Sequence, residues 1–420
     1  MMLPGPISRR RLFLGSAALT VAPLLPGPLF ATPDTGGLRK ITDDAAPISV
    51  AERLLRIDRA RRLMREQAID AVVIEPGASL VYFTGVEWRR SERLTAAILF
   101  ATGDAVIITP FFEAPSVRET LAIPAEVRVW QEDESPIALI AGALKARGIG
   151  NGTVGIEETV RFFVSDGLAK LAPGIRVVSA NAIVRGCRMI KTAAEIALMQ
   201  KAAEVTIAAY RWVWPRIAIG MAPQEIGAMM NAATSKLGGT PEFALVLLGE
   251  AAAYPHGSHQ PQRVREGEVV LMDCGCSVQG YQSDISRTFV PGKVPADVRR
   301  VWDIVCEGQQ IAFRTARVGV PAGKVDDAVR AFYEKQGFGP RYRLPGLSHR
   351  TGHGIGLDGH EPVNFVHDEM TPLMPGMCFS DEPGLYLPGR FGVRLEDCLH
   401  MTESGPAWFS RPPTSLENPV

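Results

Sequence analysis

The pattern of hydrophobic residues predicts helices that alternate with short buried strands in the first half of the chain. Apolar residues recur at helical spacing from Ala51 and lead into the apolar run 70–74, which is bounded by Pro76-Gly77. Further strands are predicted at 96–100, 105–109, 127–130, 153–156 and 176–178. Helical stretches such as 136–146 separate them, so residues 51–190 predict an α/β domain.

A second domain is predicted to begin near Lys191. Thr192 is followed three residues later by Glu195, which forms a capping box ahead of a helical pattern. Amphipathic helices are then predicted over 223–237, 297–316 and 325–336, each ended by a glycine. The second domain therefore spans residues 191–420, and the strands between its helices carry the most unusual polar residues of the chain.

The first 31 residues have the layout of an export signal. Arg9, Arg10 and Arg11 precede an uncharged stretch that ends near the small residue Ala31. Paired arginines at this place resemble a twin-arginine signal, so we expect export of the folded protein to the periplasm. A membrane anchor is the alternative. Because prolines and glycines interrupt the apolar stretch, no stable membrane span is expected.

Composition narrows the class of protein. Lys plus Arg equals Asp plus Glu at 45 each, so no basic field favours nucleic acid as a partner. The length fits two globular domains, preceded by a Pro- and Gly-rich linker over 32–50. Six cysteines are too few for a disulfide scaffold. A metal site at Cys274 and Cys276 is the alternative to buried thiols, but no second thiol pair lies at suitable spacing.

Two aspartates are predicted to meet on a β-hairpin. The apolar strand 268–273 ends in Asp273, and a second strand over 281–289 carries Asp284. A turn centred on Val278-Gln279 would place the two aspartates directly opposite each other. Carboxylates at that distance repel unless one is protonated or a cation lies between them.

A second hairpin repeats this arrangement near the C-terminus. A turn centred on Gly389 would set Glu382 opposite Glu396, and the glycine-rich segment between the two hairpins holds His349, His353 and His360. Carboxylates with one imidazole form an oxygen-rich site that suits manganese, with zinc, cobalt and iron as alternatives. Two such ions roughly 3.5 to 4 Å apart can share and deprotonate a water molecule.

Five motifs resemble those of the pita-bread metallopeptidases, which include Xaa-Pro aminopeptidases, Xaa-Pro dipeptidases (prolidases), methionine aminopeptidase and creatinase. The motifs are Met272-Asp-Cys-Gly, Ser283-Asp-Ile-Ser-Arg-Thr, His349-Arg-Thr-Gly-His-Gly-Ile-Gly-Leu, Asp381-Glu-Pro-Gly-Leu-Tyr and Gly392-Val-Arg-Leu-Glu-Asp. The resemblance extends from about Ala51. It implies a creatinase-like α/β N-terminal domain followed by an α+β pita-bread catalytic domain.

The resemblance also implies roles for individual side chains. Two divalent metal ions would be bound by Asp273, Asp284, His353, Glu382 and Glu396. His256, His360 and Glu382 would be catalytic, and His349 and Arg394 would contact substrate. Arg394 fits equally well as a hydrogen-bond partner of a metal ligand. The implied reaction is hydrolysis of bonds next to proline in short peptides, by a homodimer.

Departures from the family pattern leave the substrate open. Ile285 and Ser286 stand where threonine often follows the second aspartate, and Cys398 follows Glu396-Asp397. One alternative is a creatinase-like enzyme, or another hydrolase or lyase of small molecules on the same fold. Another is a non-catalytic binding protein. Creatinases lack several of the acidic ligands, and binding proteins usually lose ligands, whereas all five are present in this chain.

Overall fold

A computed structural model of the chain describes residues 33–420. The predicted export signal, residues 1–31, lies outside this range. None of the helices within residues 33–420 is long and apolar enough to cross a membrane. Residues 33–49, most of the predicted linker, contain neither helix nor strand, yet Ile48 is buried and the Ile41 N–H donates to the Leu237 carbonyl at 2.9 Å. This segment therefore packs against the second half of the chain.

The N-terminal half is built on one six-stranded sheet. Its strands are β1 Ala71–Ile74, β2 Ala96–Phe100, β3 Ala105–Pro110, β4 Ala125–Trp130, β5 Thr153–Ile156 and β6 Arg176–Ser179, in the spatial order β4-β3-β2-β1-β5-β6. The helices are α1 Val50–Glu66, α2 Ala78–Thr84, α3 Ala114–Thr120, α4 Pro136–Ala146, α5 Phe162–Leu171 and α6 Asn181–Arg188. β2 is antiparallel to both of its neighbours, and the other pairings are parallel.

This sheet is buried on both faces. Val72 and Ile74 belong to one hydrophobic core and Val73 to another, because successive side chains of a strand point to opposite faces. Continuous apolar runs are therefore typical of such strands. All six predicted strands are present, and their ends differ from the predicted ones by two residues or fewer.

The second half contains four long helices and eleven strands within the described residues. The helices are α7 Ala193–Val213, α8 Pro223–Leu237, α9 Ala296–Thr315 and α10 Gly323–Lys335. The strands are β7 Thr240–Leu248, β8 Val270–Val278, β9 Tyr281–Gln282, β10 Ile285–Phe289, β11 Gly352–Gly354, β12 Glu361–Phe365, β13 Cys378–Asp381, β14 Gly384–Leu387, β15 Phe391–Arg394, β16 Asp397–Thr402 and β17 Gly405–Trp408. Within the described residues these strands form three sheets. The first has the order β10-β8-β7, and β9 also pairs with β8. The second has the order β12-β11-β13-β16-β17, and the third consists of β14 and β15.

The predicted helix signals hold with one exception. The capping box at the start of α7 is confirmed, since Glu195 N–H donates to Thr192 Oγ1 and the Thr192 N–H donates to Glu195 Oε2. Glycines follow α8 and α10, but the prediction of a glycine ending α9 is wrong. Ala316 caps α9 in an extended conformation that any residue adopts. The domain limits 51–190 and 191–420 remain a prediction.

Two buried polar networks join the halves of the molecule. Glu361 accepts hydrogen bonds from Lys191 Nζ at 2.9 Å and from the Arg188 guanidinium at 2.6 Å, and its side chain is 4% exposed. On another part of the junction, Arg56 of α1 donates to the hydroxyl of Tyr281 at 3.0 Å. Burial alone would raise the pKa of Glu361, but Lys191 and Arg188 lower it to about 2.

Replacement of Glu361 by glutamine is expected to destabilise the protein by about 3 kcal/mol or more, because two buried cations lose their counter-charge. Because the folded-state pKa is depressed, this stabilisation is present above the ordinary value of 4.5 and is lost as the pH falls toward about 2. Denaturant unfolding at pH 7 measures the loss. Asp166→Asn, which breaks an exposed pair with Lys170, is the control and should cost less than about 0.5 kcal/mol. Equal losses in the free energy of unfolding for Glu361→Gln and Asp166→Asn would contradict a stabilising role of Glu361 at the junction.

Candidate metal centre

The first aspartate ribbon is formed by β8 and β10, and its predicted turn is wrong by one residue. The turn residues are Gln279 and Gly280, with φ of 51° and 82°. Two-residue hairpin turns require such left-handed backbone, which a β-branched residue such as Val278 disfavours.

The change of turn alters which residue faces Asp273. Ser286 instead of Asp284 lies directly opposite Asp273. Because the correction moves the pairing by two positions, Asp284 keeps its face of the ribbon and lies diagonally from Asp273. The two carboxylates therefore still meet.

The glutamate pair has the predicted register. Asp381 pairs with Asp397 on one side, and Gly384 pairs with Arg394 on the other. Both registers continue to Glu382 opposite Glu396. Both glutamates lie at the junction between the pair β13-β16 and the pair β14-β15. There the Glu396 carboxylate groups with both aspartates of the first ribbon, and the Glu382 carboxylate groups with Glu396 and His353.

His353 on β11 completes the group. Its Nδ1 lies 3.1 Å from the Gly354 carbonyl, which only accepts, so Nδ1 carries the proton and Nε2 presents a lone pair. Nε2 lies 3.4 Å from Glu382 Oε1 and 3.7 Å from Asp284 Oδ2. The Nε2 lone pair thus faces two carboxylates, while the Gly354 carbonyl fixes the orientation of the ring through Nδ1. This is the arrangement expected of a histidine that binds a metal ion.

The five side chains fit a divalent cation. They fall into overlapping groups whose ligand atoms lie within 4.8 Å of one another, such as Asp273, Asp284 and Glu396. Asp284 Oδ1 and Glu396 Oε1 are buried and have no hydrogen-bond partner among the described residues. Burial, reinforced by neighbouring carboxylates, raises the pKa of both acids well above the usual range. Burial likewise raises the pKa of Glu382 to about 8. A bound cation removes this penalty.

All nine side chains singled out in the sequence line one cavity of about 480 Å³. His256 and His360 lie on its exposed part, and the His360 ring stands edge-on to His353 at a centroid distance of 4.0 Å. His349 lies deeper, with Nε2 at 2.7 Å from the Tyr386 hydroxyl and Nδ1 at 2.7 Å from the Arg350 carbonyl. Burial and the charge of Arg394 lower the pKa of His349 to about 3, so its imidazole is neutral at pH 7.

Arg394 contacts a predicted metal ligand. Its guanidinium donates to Asp273 Oδ2 at 2.6 Å, to Ser286 Oγ at 2.9 Å and to Tyr386 Oη at 3.2 Å. A further bond reaches the Pro255 carbonyl at 3.3 Å. These contacts occupy the guanidinium on every side, so Arg394 orients Asp273 in this structure while it borders the cavity.

Three residues of the site were given no role in the sequence analysis. The Ser286 hydroxyl lies 3.0 Å from Asp273 Oδ1 and 2.7 Å from Glu396 Oε2, so its proton is shared between two ligands. Ser286 lies two residues after Asp284 in a predicted strand, so its side chain was expected on the same face, and this was a signal for Ser286. Tyr386 joins His349 to Arg394, and Arg350 lines the cavity. Arg350 directly follows His349 in a motif quoted above, and that position was a signal for it.

Cysteine does not contribute to the site. Within residues 33–420 the candidate metal groups contain carboxylates and histidines alone. All six cysteines are free, and burial raises the pKa of the Cys274 and Cys276 thiols. Neutral buried thiols are poor metal ligands, which disfavours the Cys274/Cys276 alternative.

Two family models together cover most of the chain. Residues 197–403 match Metallopeptidase family M24, and residues 56–190 match the Creatinase/Prolidase N-terminal domain. An uncharacterized peptidase of Schizosaccharomyces pombe is 33% identical over 81% of this chain and 78% of its own length. The chain belongs to metallopeptidase family M24.

Other relatives of this M24 peptidase agree with that family. An Xaa-Pro dipeptidase of Pyrococcus furiosus is 29% identical over 83% of this chain and 96% of its own length. The crystal structure of dipeptidase PepE from Mycobacterium ulcerans superposes with a TM-score of 0.81 at 31% identity, over 88% of this chain and 98% of the other. The predicted fold is thus confirmed as a creatinase-type N-terminal domain followed by a pita-bread catalytic domain. The predicted enzyme class, a metal-dependent hydrolase of peptides, is confirmed as well.

Replacement of Asp284 by asparagine is expected to separate stability from metal binding. In metal-free protein the change removes an acid whose ionisation is disfavoured by burial and by its neighbours, so the melting temperature should equal or exceed that of the unaltered protein. The rise in melting temperature on manganese addition should largely disappear, because a ligand is lost. Calorimetry with and without a chelator measures both effects.

The control is Asp397→Asn, which breaks the fully buried pair with Arg287. It should lower the melting temperature in both conditions. A loss of stability of the same size for metal-free Asp284→Asn would contradict the assignment of Asp284 as a ligand.

Proposed function

We propose that this M24 peptidase hydrolyses the peptide bond before proline in short peptides with two divalent metal ions, manganese being the preferred metal. The observation that carries the proposal is the buried group of four carboxylates and one imidazole, with unpartnered oxygens on Asp284 and Glu396. Oxygen-rich sites favour manganese over softer metals. The Xaa-Pro dipeptidase named among the relatives supports proline as the substrate feature.

Asp273, Asp284, His353, Glu382 and Glu396 would hold the ions. Bound there, the ions supply Lewis acidity and a water of lowered pKa. The chain's own groups then move protons and position the peptide. Glu382 faces the cavity, 13% exposed, and is the acid best placed to accept a proton from water.

The histidines at the cavity wall serve the leaving group. Hydrolysis before proline releases a secondary amine that must gain a proton, and His256 or His360 can donate it from the exposed part of the cavity. The imidazole of neutral His349 is fixed at the cavity wall, because its Nδ1–H donates to the Arg350 carbonyl and its Nε2 accepts from the Tyr386 hydroxyl, and it adds no positive charge that would repel the metals. Arg394 and Ser286 keep the Asp273 carboxylate in place.

Hydrolysis is tested with the chain from residue 33, before and after treatment with a chelator. Alanyl-proline should be cleaved, alanyl-alanine should be cleaved at least about tenfold more slowly, and manganese should restore activity lost to the chelator. Metal analysis should find about two ions per chain. A folded Asp273→Ala variant should lose at least about 10³-fold in kcat/KM, whereas the exposed control Asp133→Ala should be unaffected. Near-normal turnover by Asp273→Ala would overturn the proposal.

We also propose that the protein is exported to the periplasm by a twin-arginine signal and works as a homodimer. Arg9 and Arg10 support the export route. Their replacement by lysines should keep the protein inside the cell, as measured by fractionation. Replacement of Arg39 and Lys40, beyond the proposed signal, is the control. Unchanged export of the double-lysine variant would contradict the route, and a monomeric mass in light scattering would contradict the dimer.

A further inference from the structure

One arginine of the cavity forms no ion pair within the described residues 33–420. Arg350 follows His349 in the connection between α10 and β11, is half-buried and lines the cavity. Its guanidinium donates one hydrogen bond, from Nη1 to Asn364 Oδ1 at 2.7 Å. No carboxylate among residues 33–420 lies within 4.0 Å of it. Arg394, the other arginine of the cavity, is fully engaged by Asp273, Ser286 and Tyr386.

The position of Arg350 relative to the metal centre is set by its partner. Asn364 lies on β12 directly opposite His353 on β11. Side chains that face each other across an antiparallel pair lie about 5 Å apart and project from the same face. Asn364 therefore holds the guanidinium beside a metal ligand.

A half-buried guanidinium with free donors is suited to an anion. Its planar fork matches a carboxylate in two parallel hydrogen bonds. In a dipeptide the terminal carboxylate lies one residue beyond the scissile bond, a span of about 3.5 Å. A cation anchored next to His353 is at the right range for that group. In a longer peptide an amide, which is neutral, would occupy the same place.

We propose that Arg350 binds the free carboxylate at the C-terminus of a two-residue substrate and so selects dipeptides over longer peptides. This inference rests on the proposed function, because it assumes that the scissile bond lies at the metal centre. Asn364 is a positioning residue that holds the guanidinium toward the cavity.

The experiment compares alanyl-proline with alanyl-prolinamide, which differ only in the terminal charge, in the manganese-loaded enzyme. The unaltered enzyme should prefer the free acid, and Arg350→Ala should lower the ratio of kcat/KM values, acid over amide, by about 10- to 100-fold. Arg350→Lys should restore part of the preference, since it keeps the charge but loses the fork. Asn364→Ala should give a smaller loss of the same ratio.

Arg343→Ala removes an exposed charge from the same connection and is the control. It should leave the ratio unchanged. An unaltered enzyme that cleaves both compounds equally, or an Arg350→Ala variant with the original ratio, would overturn the role of Arg350 while leaving the proposed function intact. Failure to cleave any Xaa-Pro compound would instead overturn the proposed function. Binding of proline and prolinamide, measured by calorimetry on Arg350→Ala and Arg350→Lys, reports the same preference without turnover.

Discussion

Repulsion between buried carboxylates is the constraint on which the catalytic half depends. Asp284, Glu382 and Glu396 are largely buried beside Asp273 at the wall of the cavity, and each raises the cost of charge on the others. An apolar core would not tolerate such a group. A cation bound there would offset this cost, and the unpartnered oxygens of Asp284 and Glu396 are available as its ligands.

The surrounding structure holds the group together against that repulsion. Ser286 and Arg394 tie Asp273 to Glu396. On the opposite face of the second ribbon, Asp397 pairs with Arg287 at 2.8 Å, with both side chains fully buried. A buried pair of this kind gives little net stability, but it fixes the backbone on either side. The ribbon that carries Glu396 is thereby anchored to the ribbon that carries Ser286 and Arg287.

The N-terminal half takes part in the same arrangement through its junction. Glu361 follows His360 directly, so the bonds from Arg188 and Lys191 hold the start of β12 next to a residue of the cavity. Tyr281, in contact with Arg56, immediately follows the turn of the aspartate ribbon. Both contacts join elements of the catalytic site to the N-terminal half. The N-terminal domain is therefore a structural support of the active site as well as a separate core.

The sequence alone was enough for the six strands of the N-terminal sheet, the four long helices of the second half, the fold and nine of the residues that line the cavity. Strand and helix patterns depend on local periodicity, and motifs retain their residue types and spacing wherever the chain runs. The turn of the first hairpin was misplaced because a shift of the pairing by two residues leaves every side chain on the same face of the sheet. The hydrophobic pattern is the same for both registers and so does not distinguish them. Only the tertiary structure decided that Ser286 faces Asp273, that Arg394 is fully hydrogen-bonded, and that Arg350 bonds to Asn364 with no ion-pair partner among residues 33–420. Those properties depend on which distant segments supply hydrogen-bond partners and counter-charges, and no local pattern in a chain records them.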